Sequence, residues 1–224
     1  MPMDSYNKIF FVRHGKLSLP YKDHSVIPFD TLASLGRNDL NPPIDNTATE
    51  AYAKKFIMLT GERTYSKIFC SPSKRCQETA QIILNLLSTE GENKVPVETI
   101  SKLEEVFFDL TELAKIFGYS DAEGIQGVNS LVFEGMISGK HCEFFQDAYE
   151  RVRDFFEMIK QEKTTGNYIV VTHDFIMRVI EIFIRSEGSA LPPVVSMDTF
   201  QKTNRNGYVS GFSIDKDLKT FRLL

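Results

Sequence analysis

Lys8-Ile9-Phe10-Phe11-Val12 runs straight into Arg13-His14-Gly15. An apolar run that stops abruptly at polar residues and a glycine predicts a buried strand emptying into a loop. The same grammar returns at Ile68-Phe69-Cys70 before Ser71-Pro72, and at Tyr168-Ile169-Val170-Val171 before Thr172-His173. The second and third of these strands lead into helical patterns. Ser73 to Leu87 carries Ala80, Ile83, Leu84 and Leu87 on one stripe; Phe175 to Ile184 carries Ile176, Val179, Ile180 and Phe183 on one face. Asn46 to Leu59 reads as a further helix with Asn46 or Thr47 as its cap, and Phe144 to Lys160 as the longest one. Strands alternating with helices predict a three-layer α/β fold, a mostly parallel sheet flanked by helices. Gly207 to Ile214 and Thr220 to Leu223, around Asp215-Lys216-Asp217, predict a C-terminal hairpin at the sheet edge.

Two stretches fit this alternation poorly. Ser18 to Pro43, rich in Pro, Asp and Asn, reads as a long loop. Phe107 to Lys140 holds five glycines among mixed apolar pieces and reads as an inserted lid-like segment. With no repeat and no clean linker, the 224 residues read as one domain, 1–224, large enough for a full core. The composition, 42% hydrophobic and 25% charged, is that of a globular protein. A net charge of −4 offers no basic face for nucleic acid. No apolar run approaches the roughly 20 residues of a membrane span, and the polar Met1 to Asn7 does not read as a signal peptide. Cys70, Cys76 and Cys142 cannot all pair and match no metal-ligand spacing, which predicts reduced thiols in a cytoplasmic protein.

In an open parallel sheet, ligands bind at the carboxyl ends of the strands. Those ends deliver Arg13-His14-Gly15, Ser71-Pro72-Ser73-Lys74-Arg75 and Thr172-His173-Asp174. Two histidines and two arginines therefore converge on one edge. Paired guanidiniums suit a phosphate dianion, whose oxygens they meet bidentately.

These segments resemble the motifs of the histidine phosphatase superfamily, the phosphoglycerate mutase-like proteins. Arg13-His14-Gly15 resembles the family's nucleophile motif, and Ser71 to Ala80 its second-arginine segment. Leu103-Glu104-Glu105 resembles the Leu-x-Glu that carries its acid, and Val170-Val171-Thr172-His173 the strand ending in its second histidine. Pro43-Ile44 resembles the Pro-Leu that opens the family's first helix. The matches come in the family's order and span residues 8 to about 185.

The resemblance implies that His14 attacks phosphorus to form a phosphohistidine, its other ring nitrogen held by a backbone carbonyl. Arg13, Arg75 and a protonated His173 would bind the phosphoryl oxygens, and Glu105 would protonate the leaving group. The implied activity is a metal-independent phosphomonoester hydrolase acting on a small phosphorylated substrate, with no cofactor, no metal, no nucleic acid and no membrane.

Some positions depart from the pattern. Asp109 stands where glycine is expected. Asp174 follows His173 as in the acid-phosphatase branch, which makes it an alternative acid, or else a cap for the helix from Phe175. Two other readings remain: a phosphoglycerate-type mutase, although Val106-Phe107-Phe108-Asp109 lacks the Glu-Arg-x-Tyr-Gly such enzymes carry, and a non-catalytic phospho-ligand binder. Lys16, Lys74, His24 and His141 read as surface residues, and Cys76 as a small apolar helix residue.

Overall fold

The computed structural model describes residues 8–21, 27–62, 64–88, 95–119, 124–162, 164–189, 194–203, 207–215 and 220–224. The sequence expectations for Met1 to Asn7 and for His24 lie outside them. In chain order the described residues form β1 (Lys8–Arg13), α1 (Phe29–Gly36), α2 (Asn46–Thr60), β2 (Lys67–Cys70), α3 (Lys74–Ser88) and β3 (Val97–Thr99). After a 3-10 turn at Ser101–Leu103 come α4 (Leu110–Phe117), α5 (Gly124–Ser138), α6 (Phe145–Lys160), β4 (Tyr168–Thr172), α7 (Asp174–Arg185), α8 (Met197–Lys202), β5 (Gly211–Asp215) and β6 (Phe221–Leu223).

The sheet order is β3-β2-β4-β1-β5-β6. The first four strands are mutually parallel, and β5 and β6 close one edge as the predicted antiparallel hairpin. Residues along a strand alternate between faces, and here both faces are covered. Phe10, Val12, Ile68, Cys70, Ile169 and Val171 pack with Phe56 of α2 and Ala80 and Ile83 of α3. Ile9, Phe11, Phe69, Tyr168 and Val170 pack with α6 and α7 on the other side. Burial on both faces explains why these strands read as continuous apolar runs. Phe11 sits among Phe155, Phe156 and Phe212, with ring centroids 6.4, 5.9 and 5.2 Å away.

Both stretches read as irregular contain helices. α1 lies inside Ser18 to Pro43; its eight residues bury only Ala33 and Gly36, too little for a periodic signal. Gly36 lies against Phe108, where an added Cβ would come within 2.2 Å of the ring. Phe107 to Lys140 is largely α4 and α5. Its glycines mislead because two of them follow helix ends: Gly118 (φ +78°) after α4 and Gly139 (φ +67°) after α5. Gly135 lies within α5, where Leu113 and Cys142 approach too closely for a Cβ. Asp109, in place of the expected glycine, caps α4 by accepting from the amides of Thr111 and Glu112.

Smaller corrections follow the same chemistry. The cap of α2 is Asp45 rather than Asn46 or Thr47, its side chain accepting from Ala48 N at 3.0 Å. Residues 207–210 form a turn before β5 instead of extending the strand. The three cysteines are buried free thiols. Among the described residues, no helix is long and apolar enough to cross a membrane.

Candidate active site

Strand register brings the chemistry together. Arg13 pairs with Thr172, so His14 and His173 leave neighbouring strands at the same level. His14 N donates to Thr172 O at 2.9 Å, and Ser71 N donates to Val171 O at 3.0 Å. The two imidazole centroids lie 5.2 Å apart at 64°.

His14 is almost fully buried, and its Nδ1 lies 2.8 Å from Gly15 O. A carbonyl only accepts, so Nδ1 carries the proton and, in the neutral ring, the lone pair lies on Nε2. Gly15 is required by contact. An added Cβ would fall 2.3 Å from Thr49 Oγ1 and 2.4 Å from Thr49 Cγ2. Gly15 N also donates to Thr79 Oγ1 at 2.8 Å, which anchors the residue whose carbonyl holds His14. Gly15→Ala is expected to cost about 1–3 kcal/mol of stability through overpacking. Thr49→Ala should recover part of that loss, because the Thr49 hydroxyl has no hydrogen-bond partner to forfeit. Denaturant unfolding of the single and double variants checks both statements.

Arg75 opens α3 just after β2 and is buried. Its Nε donates to His173 Nδ1 at 3.2 Å, while its Nη1 is buried with no hydrogen-bond partner among the described residues. A buried donor without a partner is costly, and an anion is what would complete it. Arg13, at the end of β1, has its guanidinium carbon 4.9 Å from the centroid of the Tyr208 ring.

His173, expected to be protonated, sits in surroundings that disfavour the proton. Burial, then the charges of Arg75, His14, Arg13 and Arg151, push its proton affinity well below the ordinary histidine range. Its hydrogen bonds agree: Nδ1 accepts from Arg75, and Nε2 faces Ser71 Oγ at 3.0 Å and Ser73 Oγ at 3.2 Å.

Glu105 follows the 3-10 turn. Its Oε1 accepts from Val106 N at 3.0 Å and from Ile176 N, in the first turn of α7, at 3.1 Å. Oε2 is the oxygen those amides do not use. Burial, reinforced by the negative charge of Asp174, raises the carboxyl to about 7 against the pull of Arg75 and the two amides. Near neutral pH the carboxyl is therefore able both to give and to take a proton. Asp174 has a different setting. It is the first residue of α7 rather than its cap, and its Oδ2 accepts from Arg178 Nε at 3.2 Å and Nη2 at 3.0 Å.

His14, Arg13, Arg75, His173 and Glu105 thus gather at the carboxyl ends of β1, β2 and β4, with Asp174 alongside. Lys74 is exposed and pairs with Glu78 at 3.8 Å; His141 is exposed in a turn. Cys76 is more than helix filler, since its Sγ lies 3.4 Å from His173 Nε2. Burial pushes that thiol up to about 12, so it stays neutral. Sequence reasoning missed Ser71, Ser73 and Tyr208. The two serines flank Pro72 within the arginine segment and were legible there. Tyr208 offered no signal, because only the turn placed by Val209 N→Arg13 O and Arg13 N→Ser210 O brings it over Arg13.

Comparison with known proteins shows the family and the fold. Residues 9–186 match the model of the histidine phosphatase superfamily (branch 1). No curated protein matches. Among solved structures, a phosphoglycerate mutase from Bacillus anthracis is similar at 18% identity and TM-score 0.62, over 98% of this chain and 93% of that one. A putative α-ribazole-5'-P phosphatase from Escherichia coli K-12 is similar at 20% identity and TM-score 0.61, over 98% and 96%. A mycobacterial glucosyl-3-phosphoglycerate phosphatase is similar at 12% identity and TM-score 0.59, over 97% of both chains. At these identities the likeness is one of fold.

Proposed function

The chain belongs to the histidine phosphatase superfamily, and within it we propose a phosphomonoester hydrolase that acts through a phosphohistidine on a small phosphorylated metabolite. One observation supports the reading: His14, held by Gly15 O in the tautomer whose lone pair is on Nε2, and Arg75, whose buried Nη1 has no hydrogen-bond partner among the described residues, both flank His173.

Catalysis proceeds in two displacements. The His14 Nε2 lone pair attacks phosphorus as the bond to the leaving oxygen breaks, and the Glu105 proton passes to that oxygen to release an alcohol. Arg13 and Arg75 meet the charge on the equatorial oxygens, where preorganised positive groups lower the barrier most. His173 binds the same group. Its burial and the nearby guanidiniums disfavour the proton, and the dianion's charge favours it. Water then attacks phosphorus, the P–N bond breaks, and the Glu105 carboxylate takes the water's proton. Inorganic phosphate leaves and both groups are restored.

Glu105 is favoured over Asp174 as the acid because Arg178 engages Asp174 while burial keeps Glu105 protonatable. Hydrolysis is favoured over transfer because the segment after the acid, Val106 to Asp109, lacks the mutase pattern.

Turnover of p-nitrophenyl phosphate in EDTA is the first test. Activity is expected to persist unchanged when metal is removed, because positive charge comes from the chain itself. Loss in EDTA contradicts the mechanism. A requirement for a bisphosphate primer points to the mutase, and binding of phosphate without turnover of any phosphomonoester points to the binder.

A further inference from the structure

Arg151 lies on α6, outside every motif that marks the site, yet its guanidinium reaches the segment that carries the acid. Its Nε donates to Glu143 Oε1 at 2.9 Å and its Nη2 to Glu143 Oε2 at 2.7 Å. Its Nη1 donates to two backbone carbonyls, Lys102 O at 2.9 Å and Glu104 O at 2.7 Å. The carbonyl between them, Leu103 O, accepts from Thr172 Oγ1 at 2.6 Å. Three successive carbonyls before Glu105 are therefore held from outside the segment, and the Glu104 carbonyl belongs to the peptide unit that continues into Glu105.

We infer that Arg151 is a positioning residue that clamps residues 102–104 and so aims the carboxyl of Glu105 at the leaving oxygen. The inference rests on the reading of Glu105 as the leaving-group acid. Side-chain amphipathicity of α6 does not require this arginine: its apolar stripe is complete with Phe145, Ala148, Tyr149, Val152, Phe155, Phe156 and Ile159. Nor does a simple surface ion pair describe it, since one planar fork spans a carboxylate and two carbonyls at once. A lysine ammonium has the charge without the fork. Displacement of a proton donor by even about 1 Å is enough to lower its contribution some hundredfold.

The test compares kcat/KM on two substrates, because that ratio covers steps up to leaving-group departure and excludes hydrolysis of the phosphoenzyme. p-Nitrophenolate leaves without a proton, whereas the alkoxide of glycerol phosphate needs one. Arg151→Met and Arg151→Lys are each expected to lose about 10- to 100-fold on glycerol phosphate, with less than about threefold on p-nitrophenyl phosphate, the range left to a misplaced general acid. Equal loss on both substrates marks a merely structural residue and overturns the inference. Retention of full alkyl-phosphate activity by Arg151→Lys overturns it too, since charge alone would then suffice.

Glu105→Gln is the reference. If it loses selectively on glycerol phosphate and the Arg151 variants do not, the clamp is wrong and the acid stands; if it does not lose selectively, the acid reading itself fails. Should the Arg151 variants not fold, Glu143→Gln loosens the clamp from its other end. The same selectivity is then expected at smaller amplitude, and a uniform loss overturns the proposal.

Discussion

Replacing His14 by alanine is expected to lower kcat/KM on p-nitrophenyl phosphate by about 10⁴-fold or more, the scale seen when a covalent nucleophile is removed. The size follows from what remains. Arg13, Arg75 and His173 still present their charge to the phosphoryl group, yet no lone pair stands in line with the leaving oxygen. Binding of inorganic phosphate should therefore change far less than turnover does. Unfolding of the variant must be measured beside activity, because His14 is buried and its Nδ1–Gly15 contact helps order the loop. A folded variant that still binds phosphate and has lost turnover separates the nucleophile from the binding groups. A folded variant that keeps turnover removes His14 from the chemistry.

Glu105→Gln is expected to reduce kcat/KM on an alkyl phosphate by about 10²- to 10⁴-fold, the usual worth of general acid catalysis, with little change on p-nitrophenyl phosphate. The pH dependence has a definite sign. The acid must be protonated to act, and burial has raised its carboxyl to about 7. Activity on the alkyl ester should be at its plateau below that value with respect to this group, then fall with rising pH; one unit above, only about a tenth of the sites are armed. The aryl ester needs no such proton, so its kcat/KM should lack that alkaline limb. In Glu105→Gln the difference between the two profiles should vanish. Asp174→Asn provides the contrast: it removes a negative charge that raises Glu105, so the limb should move to lower pH while the selectivity between substrates persists. Selective loss in Asp174→Asn with none in Glu105→Gln would exchange their roles.

Legibility of the fold and of the site in the sequence followed length and burial. β1, β2 and β4 are buried on both faces and leave unmistakable apolar runs, and α2, α3, α6 and α7 are long enough for their stripes to repeat. Since ligands collect at strand ends, the same runs also pointed to His14, Arg75 and His173. What escaped has local causes. α1 is only eight residues long and α4 likewise, and each makes its helix with few buried positions. α5 was obscured by glycines that serve close packing and helix ends. β3 is exposed at all three residues, on the sheet edge, so no hydrophobic pattern marks it. Tyr208 and Arg151 reach the site through tertiary contacts between elements far apart in the chain. The charge state of His173 was equally out of reach, because it depends on the summed field of Arg75, His14, Arg13 and Arg151 in a buried setting.

The acidic balance of the whole chain, −4, conceals a local reversal. Arg13 and Arg75 concentrate positive charge at the carboxyl ends of the strands, and such focusing captures small anions even on a protein of opposite net charge.

Rapid quenching of the enzyme during turnover, followed by mass spectrometry of its peptides under alkaline conditions, tests the phosphohistidine directly. The account predicts one added phosphoryl group on the peptide containing His14, stable to base and lost in acid, and absent from His14→Ala. A phosphoryl group on another residue would contradict it, as would an enzyme that releases p-nitrophenolate in a burst yet carries no phosphoryl group when quenched.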